Sequence, residues 1–146
     1  MVATKHYDMW VKEAVCAGAD AIVSGAGLPV SLPEYAEAAY AEMKAAYEEM
    51  KARLDQVKTG AAELKASCEE LCRKLSRRTK LAPIVSTAKA AMVICRMWDR
   101  KYNRVPDFIV VEGPLAGGHL GFSKEQLAQF GADTDDVEKN LQSGSL

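Results

Sequence analysis

Short apolar runs that close in serine or glycine constrain this chain most: "DAIVSGAGLP" (20–29), "LAPIVS" (81–86) and "PDFIVVEG" (106–113), with "MVAT" (1–4) reading as a further strand. Each run is continuous rather than alternating, the pattern of a strand covered on both faces, as in a parallel sheet packed by helices. Between the runs, "YDMWVKEAVCAG" (7–18) reads as an amphipathic helix ending in glycine. "TAKAAMVICRMWDRKY" (87–102) reads as a second helix, with Ala91, Ile94, Cys95 and Trp98 at core spacing. Trp10 is assigned to the core face of its helix in the same way, and Ser31 is a candidate cap after "SGAGLP". Strands alternating with helices predict an α/β fold with a parallel sheet, either doubly wound or a barrel.

The chain has 146 residues, a hydrophobic fraction of 49% and a net charge of -1. It is long enough for one domain with a real core, and its charge gives no bias toward nucleic acid or an anionic membrane. The apolar runs are too short to span a bilayer, and the N-terminus lacks a secretory pattern, so a cytoplasmic protein is expected. Cys16, Cys68, Cys72 and Cys95 are scattered without a CxxC or a neighbouring histidine, which predicts reduced apolar filler and no metal site.

In parallel α/β sheets ligands bind at the carboxyl ends of the strands. Those ends carry "ATKHY", "SGAGLP", "PIVS" and "EGPLAGGH". Gly117 and Gly118 leave room for a ligand at the backbone, and His119 beside them can move protons near neutral pH. Taken alone, the same three residues read equally well as a tight turn with a packed or capping histidine. No GxGxxG opens a helix after a strand, which argues against a dinucleotide site. His6 follows a strand end and could face the same mouth, or be solvated. Glu112 closes an apolar strand and is a second acid-base candidate if partly buried, or an ion-pair partner otherwise.

The segments "MVATKHYD", "GADAIVSGAGLPVSLPE", "KLAPIVSTAKAA" and "WDRKYNRVPDFIVVEGPLAGGHLGF" together resemble the nitronate monooxygenase family, also called 2-nitropropane dioxygenase-like. The resemblance implies an FMN-dependent TIM barrel that oxidises nitronates or nitroalkanes. It implies that Ala116, Gly117 and Gly118 line the flavin, that His119 faces the substrate, and that the strand end around Pro83 lies near the cofactor. FMN-dependent enoyl-acyl-carrier-protein reductases are close to this family and share the glycine-histidine strand end, so the resemblance leaves both reactions open. A (β/α)₈ barrel takes roughly 250 residues. The expectation is therefore a partial barrel from 1–33 and 80–130, a fragment or short form, followed by a polar tail at 131–146. A non-catalytic remnant acting as an interaction protein is the reading of a different class.

Residues 34–79 interrupt that pattern. Ala, Glu, Lys, Leu and Met dominate them, and apolar or small residues recur in steps of three and four from Met43 through Leu54, Leu64 and Cys68 to Leu75. The phase is kept through Thr59-Gly60, which predicts one long coiled-coil-like helix over 36–75. Such a stripe calls for pairing with another copy or with a helix of its own chain; the alternative is a solvated helix held by pairs such as Glu48 with Lys51 and Glu70 with Lys74. The basic "RKLSRR" (73–78) reads as favourable charge at a helix C-terminus.

Overall fold

The computed structural model describes residues 5–57 and 61–113. Along them run α1 (Tyr7–Ala17), β1 (Ala21–Ser24), α2 (Leu32–Gln56), α3 (Ala62–Ser76), β2 (Lys80–Val85), α4 (Ala88–Tyr102) and β3 (Val110–Val111). The strands form a parallel sheet in the order β1-β2-β3, with Ile22 beside Leu81, Val23 beside Ala82 and Val85 beside Val111. The chain is thus a mixed α/β fold whose parallel strands are joined by helices, as the alternation of runs predicts. The expected strand at 1–4, the segment from residue 114 onward and the tail lie outside the described residues.

Side chains alternate across a strand. Ile22 and Ser24 of β1, with Leu81, Pro83 and Val85 of β2, turn toward the helices, while Val23, Ala82, Ile84 and Val110 turn the other way. One cluster receives residues from all four helices: Val11 and Val15 of α1, Leu32 to Met43 of α2, Leu71 and Leu75 of α3, and Ile94 and Trp98 of α4. The helices therefore cover one face of the sheet. A barrel continues this one-sided winding around, and a doubly wound sheet reverses it.

The expected single helix over 36–75 is corrected to a helical hairpin. α2 ends at Gln56 with Val57 extended, and α3 starts again at Ala62. The two run antiparallel: Tyr47 lies beside Cys72 within α3, while Tyr40 and Glu37, nearer the start of α2, meet Thr79 and Arg78 just past the end of α3. A glycine costs about 1 kcal/mol inside a helix, and a continuous helix would leave the second half of the stripe in water. Folding back buries Cys68 and carries Leu71 and Leu75 to the core. The hairpin is fastened to its surroundings by Lys74, whose Nζ donates to the Cys16 carbonyl at 3.0 Å, and by Arg77, which pairs with Asp20 at 2.6 Å.

Three smaller expectations also change. Trp10 lies off the Val11–Val15 stripe and is 62% exposed, whereas Trp98 is fully buried and donates its indole N–H to the Pro29 carbonyl at 3.0 Å. Ser31 stands at the N-cap of α2 but its side chain makes no capping bond; Thr87 caps α4 instead, accepting from the Ala90 N–H. The strand expected over 106–113 narrows to Val110–Val111. Pro106 has no N–H to give, and the Asp107 carboxylate takes the Leu81 N–H at 2.7 Å, replacing a ladder bond with a side-chain one.

Candidate functional site

The carboxyl ends of three parallel strands lie side by side and carry polar groups. Ser24 ends β1 almost fully buried, its hydroxyl 2.7 Å from the Tyr7 hydroxyl at the start of α1. Tyr7 is held in turn by an edge-on contact with Tyr35, ring centres 5.8 Å apart. Ser86, just past β2, donates to the Glu112 carboxylate at 3.3 Å, and the Glu112 N–H donates to the Val85 carbonyl at 2.9 Å. A hydroxyl pair at β1 and a hydroxyl–carboxylate pair shared by β2 and β3 thus mark the rim.

The loop after β1 is tightly determined. Gly25 has no room for a side chain, since a Cβ there would lie 2.8 Å from Ile84 Cδ1. Ala26 takes a left-handed φ of 58°, uncommon for a residue with a Cβ. The Trp98 indole holds the same loop at Pro29. Strained, over-determined backbone at a strand end is a feature of ligand loops. Beside the loop opens a cavity of about 290 Å³ lined by Lys5, Tyr7, Asp8, Val30, Ser31 and Tyr35.

Burial, opposed by the Ser24 hydrogen bond, raises the Tyr7 phenol above its ordinary value, so it stays protonated and neutral. Burial also raises the Cys16 thiol, which keeps it protonated and unreactive. The described cysteines are all free, and no three His, Cys, Asp or Glu side chains gather into a metal set among the described residues.

The residues singled out from the sequence are distributed unevenly. Ala116, Gly117, Gly118 and His119 lie outside the described residues; the chain leads toward them from the rim at Gly113, which has open space around it. Pro83 stands inside β2, opposite Ser24, and is fully buried toward the helices; the strand's carboxyl end is Val85. Ligand contact on the open face of β2 would fall to Ile84. His6 is exposed at the N-cap of α1, at the same end as Tyr7. Glu112 is half-buried and engaged by Ser86, between the two readings its sequence allowed. The Tyr7–Ser24 pair was not singled out beforehand; the faint signal was a serine directly before glycine at a strand end.

A larger cavity, about 620 Å³, opens at the opposite, amino end of the sheet beside Asp20, Arg77, Arg78, Lys80 and Phe108. Its guanidinium groups are already neutralised, Arg77 by Asp20 and Arg78 by Glu37. Size favours that end; the meeting of three strand carboxyl ends favours the rim. No helix among the described residues is long and apolar enough to cross a membrane. No protein-family model matches the chain, and no curated protein matches it.

Proposed function

We propose that the chain is a fragment or short form of an FMN-dependent oxidoreductase of the nitronate monooxygenase type, with its site at the carboxyl rim. The observation that carries the reading is the convergence of Gly25, Ser86 and Glu112 on adjacent parallel strands, with β3 feeding directly into "PLAGGH". The sequence motif supplies the chemistry, and the rim supplies a place for it.

The described rim fits part of a flavin. Hydroxyls at Ser86 and Tyr7 suit a polyol or phosphate-bearing chain, while at Gly25 the place of a side chain is taken by Ile84. The cavity on the Tyr7 side of the rim, about 290 Å³, falls at the small end of ligand sites and cannot take the whole group. The ring would rest against the backbone of Ala116, Gly117 and Gly118. Bound there, the flavin would supply the redox chemistry. His119 would accept the proton alpha to a nitro group or hydrogen-bond an anionic nitronate, and Glu112 would fix the Ser86 hydroxyl near the mouth.

The test is a titration of the purified chain with FMN, followed by absorbance. His119→Ala keeps flavin binding and lowers turnover of a neutral nitroalkane about 10²-fold, with a smaller loss on the preformed nitronate. Gly118→Val abolishes flavin binding. A chain that never perturbs the FMN spectrum removes the reading.

The interaction-protein reading keeps one observation in its favour. Leu54 and Leu64, at the far end of the hairpin, lie outside the core cluster, and Val57 is 46% exposed. Self-association through residues 36–75 is read by light scattering of Leu54→Asp against the parent chain.

A further inference from the structure

Among the described residues two flanks and two strand edges are left uncovered, and they match each other. Among the described residues β1 and β3 each pair only with β2, so each sheet edge offers unpaired backbone groups, pointing the same way because the strands are parallel. α1 meets its neighbours through Lys12, which pairs with Glu42, and through Cys16, which receives Lys74. Helical geometry then puts Trp10, Ala14 and Ala17 on the opposite flank with Glu13 at its margin. α4 meets α2 through Lys101 at Glu34, which leaves Met92, nine residues earlier and on the opposite side of the helix, on the outer flank with Arg96 at its margin. Trp10 is 62% and Met92 54% exposed, and Glu13 and Arg96 are both exposed. One flank is thus apolar with an acid at its border, the other apolar with a base. Between them the sheet face away from the helices presents Val23, 49% exposed, and the partly exposed Ile84 and Val110 around the buried Ala82.

We propose that these surfaces are covered by a second copy of this chain. A two-fold axis parallel to the strands sets β3 of each copy beside β1 of the other and α4 of each against α1 of the other. Met92 then packs on the partner subunit's Trp10, and Arg96 meets the partner subunit's Glu13. The same rotation joins three parallel strands from each copy, fills both open edges and turns the uncovered faces toward each other. A two-fold partner whose strands ran the other way would join like edges instead, setting α1 against α1 and α4 against α4 and bringing like charges together. All carboxyl ends fall at one end of the assembly, so the rim residues of both copies border a common mouth. The proposal does not depend on flavin binding, and it uses a surface distinct from the α2–α3 hairpin.

The test is sedimentation velocity of the full chain across the micromolar range, with circular dichroism as the check on folding. A dimer is expected. Trp10→Asp and Met92→Asp, both at exposed positions, each raise its dissociation constant about tenfold or more, as for an anchor at the centre of an interface. Arg96→Glu weakens the dimer, and adding Glu13→Arg to the same chain restores it. That rescue distinguishes a matched pair from a general loss of stability. A monomer throughout the range overturns the proposal, as does a dimer that ignores both flanks and the charge exchange but dissociates on Leu54→Asp.

Discussion

The two faces of this small sheet are cut from the same strands, yet they are finished differently. On the helix side Leu81, Ile94 and Trp98 have no solvent exposure, and the polar groups among them are paired: Thr79 donates its N–H to the Tyr40 hydroxyl at 2.6 Å, and Trp98 donates to Pro29. On the other side Val23 is 49% exposed, and Ile84 and Val110 are partly exposed. Burial of apolar area and satisfied hydrogen bonds hold a fold together, so the helix side carries the stability. The other side, with the rim above it, is free to take a ligand or a partner. A stretch of apolar sequence therefore states that a surface is to be covered, without stating by which molecule.

Trp98→Ala breaks the finished side and should have the largest effect. Removing a fully buried indole and its bond to Pro29 costs about 3–5 kcal/mol, read as a large drop in the denaturant midpoint, and it loosens the loop after β1 as well. Tyr40→Phe is next. It deletes only an oxygen, but leaves the buried Thr79 N–H without an acceptor, a loss of about 1–3 kcal/mol with the slope of the unfolding curve unchanged.

A smaller effect is expected from acid. Burial pushes the Asp107 carboxyl up, but the Leu81 N–H and the Arg104 guanidinium outweigh it, so its pKa in the folded chain lies below the ordinary value. The stability it contributes is fully present above the ordinary carboxylate value and is lost as pH falls below that value through the lowered pKa of the folded chain. Thermal melts from neutral to acid pH should show less of this loss in Asp107→Asn. The smallest effect belongs to the open face: Val23→Thr should leave the dilute chain within about 0.5 kcal/mol of the parent by chemical denaturation. A larger loss that grows with protein concentration would show that another molecule covers the face.

The sequence made some of this legible. The runs at 20–29 and 81–86 became paired parallel strands, because a continuous apolar stretch bounded by glycine and serine has few other solutions. Ile94 and Trp98 were readable from spacing alone. The hairpin was not. Heptad phase is the same whether a helix runs on past Gly60 or folds back upon itself; only the rest of the core, where Leu71 and Leu75 dock, decides between them. Trp10 was misplaced because a large aromatic carries weight in any apolar pattern, while the actual stripe, Val11 and Val15, is made of smaller residues. At the rim, Glu112 was noticed as an apolar strand's last residue. Its partner Ser86 and the Tyr7–Ser24 pair depend on which strands are neighbours, and that information is absent from local pattern.

The hairpin also bears on how the chain reaches its fold. β1 and β2 are far apart in sequence, Ala21 pairing with Lys80, and most of the chain between them belongs to α2 and α3. Closing so long a loop carries an entropic cost that rises with the logarithm of its length. Contacts between the two helices are local by comparison and can form early. Once Tyr47 and Cys72 are together, the ends of the interval have been drawn near each other and the loop left to close is short, a saving on the order of 1 kcal/mol in the barrier. The inserted helices thus act as a kinetic clasp. Substitutions that loosen them should slow refolding, and those at the open sheet face should leave its rate alone.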